Sequence, residues 1–390
     1  MTGSPAQRPL EGVLVADFSR ILAGPLATMT LADLGATVIK VERPGSGDDT
    51  RSWGPPFSPT GSTYFEGVNR NKQSLCLDLN DAGDLELAHE LARRADVLVE
   101  NFKPGGMARL GLGYETLASG NPGLVYASIT GFGSAGGAGL MGYDFVVQAL
   151  GGLMSITGDA DGPAMKAGVA LVDVLTAKDA TIGILAALQA RQQHGRGSHL
   201  EVNLLSSLQG ALVNQGQAYL GAGVVPGRLG NDHPSIAPYQ LLQCSDGPLA
   251  IACGNDGQFA RLVRALGVPG LATDSRFLTN PDRVHHRLEL TALLEEALSR
   301  DTARRWQDAL VEAGVPAGQV STIDQGVAYA EELGLGPTIE VRDTAGTVTG
   351  RQMRHPVSWT PAFPVRADAP PTLGEHTNVL RAWLSDRTQD

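Results

Sequence analysis

The chain has 390 residues, of which 42% are hydrophobic and 18% charged, so it can bury a large core and is not of the disordered class. A chain of this length is longer than a typical domain with a single hydrophobic core. The length therefore predicts two domains or one large enzyme domain. The formal net charge of −11 disfavours a general nucleic-acid binder, which would carry an excess of Lys and Arg.

The first 200 residues alternate short β-branched runs with helical patterns. Asn80 is predicted to cap the helix DAGDLELAHELARRA, and GPLATMTLADLG (24–35) also has helical spacing. The predicted strands are GVLVADF (12–18), TVIKVE, SLCLDL (74–79), DVLVE (96–100) and GLVYASIT (123–130). This alternation predicts an open, doubly wound, mostly parallel α/β sheet, whose ligands bind beyond the carboxyl ends of the strands.

Helical patterns continue over 143–153, 176–193 and 204–220, before a Gly- and Pro-rich break at 221–234. A second α/β region follows, with the strand GPLAIAC and the helices QFARLVRALG, RLELTALLEEAL and ARRWQDALVEAG. TIEVRDTAGTVTGRQM (338–353) predicts a hairpin, and GEHTNVLRAWL a last helix. We therefore expect a large α/β domain (1–200), a linker helix (201–225), a smaller α/β domain (226–330) and a C-terminal segment (331–390) that returns to the large domain.

The cysteines and the apolar runs indicate in which cellular compartment the protein is expected. Cys76, Cys244 and Cys253 are far apart and odd in number, which is typical of reduced thiols in a cytoplasmic protein. No CxxC or HxxxH spacing occurs, so no metal site is expected. The N-terminus lacks the apolar region of an export signal, and no apolar run approaches the length of a membrane span, so no membrane association is expected.

GFGSAG (131–136) follows a predicted strand with the glycine spacing of a dinucleotide-binding turn. Such a turn needs a helix that begins within it, so that the helix N-terminus meets the pyrophosphate. Here the chain continues GGAGLMG, which is poor helix material. The pattern favours an active-site loop, and a nicotinamide dehydrogenase stays an alternative that depends on this motif alone.

The stretch VALVDVLTAKDATIGILAAL (169–188) places Asp173 between two valines, with no cation beside it. One interpretation is a helix cap, a common role of Asp. The other is chemical: a partly desolvated carboxylate at the edge of the sheet can act as a nucleophile, and helix N–H groups can stabilise negative charge nearby. The local sequence leaves both interpretations open, as it does for Asp144, which opens another predicted helix.

Basic residues lie at or near the predicted strand ends. In an acidic protein they can form a collar that binds phosphates, whereas each one alone is typical of a solvated surface charge. They are Arg20, Lys40, Arg43, Lys72, Lys103 and Arg109.

Nine segments, in order along nearly the whole chain, resemble the class III CoA-transferase family, the group of formyl-CoA transferase and carnitine CoA-transferase. They are DFSRILAGPLATMTLADLGATVIKVERPGSGDDTR, NKQSLCLDLN, ADVLVENFKPG, ITGFGSAGG, GYD, VDVLTAKDATIGILAAL, GNDGQF, GVPAGQV and LGEHT. The resemblance implies an enzyme that exchanges coenzyme A between an acyl-CoA and a carboxylic acid, without a metal or a tightly bound cofactor. It also implies a large and a small α/β domain and a homodimer in which two chains interlock like linked rings.

The resemblance assigns roles to individual residues. The family's catalytic aspartate falls at Asp173, which would attack the thioester to form a mixed anhydride and then an aspartyl-CoA thioester. Asp144 is interpreted as support for that site. The implied coenzyme A contacts are Leu22, Ala23, Arg43, Leu77, Asn80, Asn101, Phe102, Lys103, Arg109 and Tyr143, of which the two arginines suit the phosphates. A loop that closes over the intermediates falls at Gly254, Asn255, Asp256 and Gly257, and His233 is a further candidate.

The same resemblance includes α-methylacyl-CoA racemases, whose essential histidine falls in a GHD segment. This chain has GYD, and Tyr143 is a poor base near pH 7 because the ordinary pKa of tyrosine is about 10. We therefore prefer transfer to racemisation. A non-catalytic CoA-binding protein is a weaker alternative, because a binder has little use for a buried carboxylate. GNDHPSIAPYQ resembles a subgroup that handles small dicarboxylic acids, and the donor and acceptor acids stay open.

Overall fold

The computed structural model describes residues 7–386. These residues divide into two compact units. The first contains the chain up to Leu153, Lys166–Val224 and the residues from Gly334 onward, and the second contains Met154–Met165 and Val225–Leu333.

The described strands are β1 (Leu14–Asp17), β2 (Thr37–Glu42), β3 (Phe57–Ser58), β4 (Gly61–Ser62), β5 (Lys72–Cys76), β6 (Val97–Glu100), β7 (Val125–Thr130), β8 (His199–Asn203), β9 (Tyr239–Gln243), β10 (Pro248–Ala252), β11 (Ala317–Gln319), β12 (Thr338–Arg342) and β13 (Val348–Met353). The described helices are α1 (Ala23–Asp33), α2 (Thr63–Glu66), α3 (Ala82–Arg94), α4 (Gly106–Arg109), α5 (Tyr114–Gly120), α6 (Asp144–Leu150), α7 (Leu171–His194), α8 (Leu204–Ala211), α9 (Val213–Ala222), α10 (Asp256–Ala265), α11 (Asn280–His285), α12 (Arg287–Leu298), α13 (Ala303–Glu312), α14 (Ile323–Glu332) and α15 (Thr377–Ser385).

The first unit is built on a six-stranded sheet in the order β5-β2-β1-β6-β7-β8, in which every neighbouring pair is parallel. The predicted α/β fold with a large parallel sheet is confirmed. The edge strand β8 is an addition to the prediction. Its sequence HLEVN alternates polar and apolar residues and is only partly buried, so it lacks the continuous β-branched run of the central strands.

Helices cover both faces of this sheet, because successive side chains of a strand point to opposite sides. Val15 of β1 packs in the apolar cluster that α1, α7 and α8 complete. Its neighbour Ala16 packs in the opposite cluster, with α3 and the C-terminal helix α15. Both clusters are fully buried at their centres, so the carboxyl edge of the sheet rests on a rigid base.

The predicted cap of α3 is wrong by one residue. The carboxylate of Asp81 accepts the N–H groups of Gly83 and Asp84, at 2.9 and 3.0 Å. Asn80 instead donates its backbone and side-chain N–H groups to Asp78. Asn80 lies one position too early to reach the unpaired N–H groups of the first helical turn.

Helix α7 begins earlier than the sequence predicts, at Leu171 rather than at residue 176. Its N-cap residue Ala170 has no side chain that could accept a hydrogen bond, which is why local sequence gave no start signal there. The helix ends at His194, before Gly195 with a left-handed φ of 68°. Asp173 is therefore the third residue of a long helix and not its cap.

The glycine loop that contains GFGSAG forms turns, and the next helix begins only at Asp144. Gly131 and Gly142 meet at the base of this loop: a Cβ on Gly131 would lie 2.3 Å from the Cα of Gly142. The glycines therefore permit a close backbone crossing. They do not start a helix that could receive a pyrophosphate.

The second unit has a three-stranded antiparallel sheet in the order β11-β10-β9, covered by α10, α12 and α13. The predicted hairpin β12–β13 belongs to the first unit. Between residues 7 and 386, no helix is both long and apolar enough to cross a bilayer.

Candidate active site

Asp173 lies in the first turn of α7 and is half-buried. Burial raises the pKa of its carboxyl group to about 7, and the negative charge of Asp144 adds to the rise. Within residues 7–386 no group donates a hydrogen bond to this carboxylate. Its oxygens are thus free to attack a bound electrophile.

Asp144, the first residue of α6, caps α7 from another element. Its Oδ2 accepts the backbone N–H groups of Val172 and Asp173, at 2.7 and 3.2 Å. Its Oδ1 accepts an N–H from the fully buried Gln148, whose own carbonyl oxygen accepts the N–H of Ala167. Asp144 therefore satisfies the helix N-terminus, fixes the backbone of Asp173 and places a second negative charge beside it.

Sequence reasoning missed Tyr64 of α2 as a neighbour of this site. Burial raises the pKa of its phenol to about 12, and the charges of Asp173 and Asp144 contribute. The ring of Trp53 packs edge-on against Tyr64, with ring centroids 5.1 Å apart. A polar group that stands more than 100 positions away in the sequence gives no local signal, so only the fold could reveal it.

Asp173 opens into a cavity that we call the Asp173 cavity. Most of the predicted site residues of the first unit line it together. They are Leu22, Ala23, Asn101, Phe102, Lys103, Tyr143, Asp144 and Asp173.

A neighbouring cavity, which we call the Arg43 cavity, is lined by Arg43, Leu77, Asn80 and Phe102 of the predicted residues. Arg20 and Phe102 line both cavities and form their common wall. The two cavities therefore adjoin and lead from Asn80 past Phe102 to Asp173.

The basic collar is partly wrong. Lys40 and Lys72 lie inside strands β2 and β5 and are fully buried, where they pair with Asp48 at 2.9 Å and with Asp17 at 3.0 Å. The ammonium groups of both lysines are thus paired in the interior and do not form part of a phosphate-binding collar. Arg109, the last residue of α4, is exposed and lines neither cavity, although its neighbour Leu110 lines the Arg43 cavity.

The predicted loop residues Gly254 to Gly257 and His233 belong to the second unit. Asn255 caps α10 by accepting the N–H of Gln258, and the Gly254 N–H donates to the Gln258 side chain. Asp256 pairs with the fully buried Arg283 at 2.6 Å. These contacts give the loop a defined anchor in its own unit.

The imidazole Nδ1 of His233 accepts the N–H of Ser235, and its ring packs on Tyr239 with centroids 5.0 Å apart. Among the described residues, no group of three or more His, Cys, Asp or Glu side chains has the arrangement of a metal site.

Residues 10–377 match the family described as CoA-transferase family III. The chain is 42% identical to a succinate–glutarate CoA-transferase of Agrobacterium fabrum, over 98% of each chain. It is 44% identical to an acetyl-CoA:oxalate CoA-transferase of Acetobacter aceti, over 81% of this chain and 82% of that one. Among solved structures, a CAIB/BAIF family protein from Brucella suis superposes with a TM-score of 0.87 at 43% identity, over 97% of this chain and all of that one.

Proposed function

The chain belongs to CoA-transferase family III and is a CoA-transferase, and from that premise we propose that Asp173 is the nucleophile through which coenzyme A moves. The observation that carries this proposal is the state of the Asp173 carboxyl group. It is half-buried, has a pKa of about 7 and has no hydrogen-bond donor among the described residues. A carboxylate with these properties is both ionisable near neutral pH and poorly solvated, as a nucleophile needs to be.

The transfer proceeds by four acyl substitutions. The Asp173 carboxylate attacks the carbonyl carbon of the acyl-CoA, and the thiolate of coenzyme A leaves, which gives a mixed anhydride. The thiolate then attacks the Asp173 carbonyl carbon and expels the donor acid, which gives an aspartyl-CoA thioester. The acceptor carboxylate repeats the two steps in reverse and releases the new acyl-CoA with a free Asp173. Coenzyme A is a substrate throughout, and the scheme uses no resident cofactor.

Asp144 acts in this scheme as a positioning residue. Its carboxylate already accepts the N–H groups of Val172 and Asp173, and its negative charge adds to the rise in the pKa of Asp173 that burial causes. This use of both oxygens makes Asp144 unsuited to remove a proton from a substrate. Tyr143 at the same segment is exposed and is no better as a base, so transfer is favoured over α-proton exchange.

The coenzyme fits the two adjoining cavities in one direction. The thioester must reach Asp173, so the pantetheine arm occupies the Asp173 cavity beside Leu22, Ala23 and Tyr143. The nucleotide end then occupies the Arg43 cavity, where Arg43 can bind phosphate and Asn80 lies at the far end. Arg109 is exposed beside that cavity and is a further proposed phosphate contact.

The acids exchanged are small dicarboxylic acids. The names of the two reported relatives support this class, because one names succinate and glutarate and the other names oxalate, with acetyl-CoA as its donor. The test is a panel of acyl-CoA donors against dicarboxylic and monocarboxylic acceptors, with the new thioester measured by chromatography. Exchange with at least one dicarboxylic pair is the expected result. Failure of every pair, with a folded protein shown by circular dichroism, would contradict the proposal.

Two such chains form a homodimer. Helix α9 of the first unit has no buried residue, although it carries Val213, Tyr219 and Leu220, which are exposed by 72, 59 and 77%. An apolar face of this kind supports a second copy as its cover. Light scattering should give twice the mass of the chain. In an interlocked dimer, Gly254–Gly257 and His233 would close over a substrate in the partner's site.

The enzyme is proposed to work in the cytoplasm. The three cysteines are free thiols, one of them, Cys253, fully buried, as expected in a reducing compartment.

A further inference from the structure

Arg20 lies between the Asp173 cavity and the Arg43 cavity and lines both of them. Its main chain is fixed by the side chain of Asn101, which accepts the Arg20 N–H at 2.9 Å and donates to the Arg20 carbonyl oxygen at 2.7 Å. The next residue, Ile21, has a left-handed φ of 73° and donates its N–H to the buried carboxylate of Asp48. The root of the Arg20 side chain is therefore held rigidly at the common wall.

The guanidinium of Arg20 shares one carboxylate with Arg43. Arg20 Nη1 lies 3.1 Å from one oxygen of Asp49, and Arg43 Nη2 lies 2.6 Å from the other. The three side chains keep 38, 52 and 40% of their surfaces exposed, in the order Arg20, Arg43 and Asp49. The group is thus open to solvent and carries one net positive charge.

We propose that Arg20 is a second phosphate ligand of coenzyme A beside Arg43, and that the Asp49 carboxylate holds both arginines until a phosphate replaces it. This inference rests on the proposed function. A carboxylate shared by two guanidinium groups has the same charge-assisted bonding as a bound phosphate. A phosphate offers more oxygen atoms and more charge than a carboxylate, so it can satisfy both forks where Asp49 satisfies one N–H of each.

The proposal predicts opposite effects for the two members of the contact. Arg20→Gln removes a ligand of the phosphate and should weaken coenzyme A binding roughly tenfold, by the usual scale of one charge-assisted contact. Asp49→Asn removes the internal competitor and a nearby negative charge, and should tighten binding roughly three- to tenfold. Arg20→Lys, which keeps the charge but not the fork, should lie between wild type and Arg20→Gln.

Isothermal titration calorimetry of the full-length protein with free coenzyme A measures these constants without turnover. Glu340→Gln is the matched control, because it removes a carboxylate that also pairs with an arginine, Arg342, and lines neither cavity. Its Kd should equal that of wild type. A parallel titration with 3′-dephospho-coenzyme A distinguishes the two phosphate sources. If the 3′-phosphate is the ligand, Arg20→Gln loses its effect with this probe, and if the diphosphate is the ligand, the effect persists.

The outcomes separate this inference from the proposed function. Unchanged binding in Arg20→Gln, or weaker binding in Asp49→Asn, would overturn the inference while wild type still binds coenzyme A. Absence of binding by folded wild-type protein would instead count against the proposed function itself. Additive effects in the Arg20→Gln, Asp49→Asn double variant would also contradict the proposal, because a competitor for Arg20 loses part of its effect once Arg20 is gone.

Discussion

Two carboxylates of the first unit, Asp17 and Asp173, have pKa values that move in opposite directions. Burial alone would raise the pKa of Asp17, but the charges of Lys72 and Lys40 and the hydrogen bonds from Ser19 and Thr28 outweigh it and lower the pKa to about 2. Asp173 has no such cation, so burial raises its pKa to about 7 with the help of Asp144.

The difference shows how its surroundings set the ionisation of one residue type in one domain. Asp17 lies at the end of β1, stays ionised and links strands through Lys72, so it is structural. Asp173 lies at the start of α7, where its ionisation is opposed by its surroundings. A fold that leaves a carboxylate in such a state gives up stability at that position, which is common at functional sites.

The largest expected effect is on activity. Asp173→Asn keeps the shape of the side chain and removes the proposed nucleophile, so CoA exchange should fall at least about a thousandfold with the fold intact. The assay is thioester exchange with circular dichroism as the check on folding. Asp179→Asn is the control, since Asp179 is an exposed residue of the same helix, and it should keep wild-type exchange. Near-normal exchange in Asp173→Asn would contradict the interpretation that Asp173 is catalytic and Asp17 structural.

A substitution at Asp17, beside the buried Lys72 and Lys40, should instead cause a large loss of stability. Asp17→Asn leaves the fully buried Lys72 without its ion-pair partner and removes a negative charge near Lys40, which keeps its pair with Asp48. The change should lower the free energy of unfolding by about 3–5 kcal/mol. Urea unfolding measures this change. Asp308→Asn, which breaks an exposed pair with Arg304, should change the free energy by less than about 1 kcal/mol. If the two variants lowered the free energy of unfolding equally, burial would not explain the contribution of the Asp17 ion pair.

The difference in stability between wild type and Asp173→Asn should depend on pH. The folded pKa of Asp173 lies above its ordinary value of 3.8, so the native state holds its proton more firmly than the unfolded chain does. Wild type therefore loses stability as the pH rises from about 4 to about 7, and Asn at this position does not. At pH 8 the variant should be more stable by about 1–3 kcal/mol, a value reduced for the partial exposure of the site. Thermal melts at pH 4 and pH 8 test this, and a variant that is less stable at pH 8 would contradict it.

The smallest expected effect comes from Asp144. Asn at this position can still accept the N–H of Val172 through its one oxygen, so the cap survives, although the hydrogen bond from Gln148 is lost. The negative charge beside Asp173 is also lost. The pKa of Asp173 should fall, and the acidic limb of the kcat/KM profile should move to lower pH. Asp144→Ala, which loses the cap as well, should also lower stability by about 1 kcal/mol. A profile for Asp144→Asn that moves to higher pH would contradict the assigned role.

The sequence predicted the parts of the fold that depend on local patterns. The strands β1, β2, β6 and β7 are rich in buried apolar residues, and their sheet is parallel as predicted. The start of α7 was predicted too late because its cap is Asp144, which stands 28 positions earlier on another helix. When the capping side chain comes from a distant element, the residues around the helix start carry no capping signal.

Long-range pairing also explains the errors at the site. Lys40 and Lys72 were predicted to belong to a basic collar at the strand ends. Instead Lys72 is buried in β5 beside Asp17 of β1, and Lys40 is buried in β2 beside Asp48, which follows that strand. Arg20 and Asp49 are 29 positions apart, so their contact could not be predicted from spacing. By contrast, Asp173 stood out in the sequence because a lone carboxylate within an apolar stretch is a local feature.

The most direct test of the central claim is to trap Asp173 in its activated form, because hydroxylamine converts an aspartyl-CoA thioester to a hydroxamate and borohydride reduces it to an alcohol. Wild-type protein is mixed with an acyl-CoA donor, treated with hydroxylamine or borohydride, digested and analysed by mass spectrometry. We predict one modified peptide, with the change at Asp173, and none in the Asp173→Asn variant under the same treatment. An unmodified Asp173 in a preparation that exchanges coenzyme A, or a modification at another carboxylate, would contradict the account.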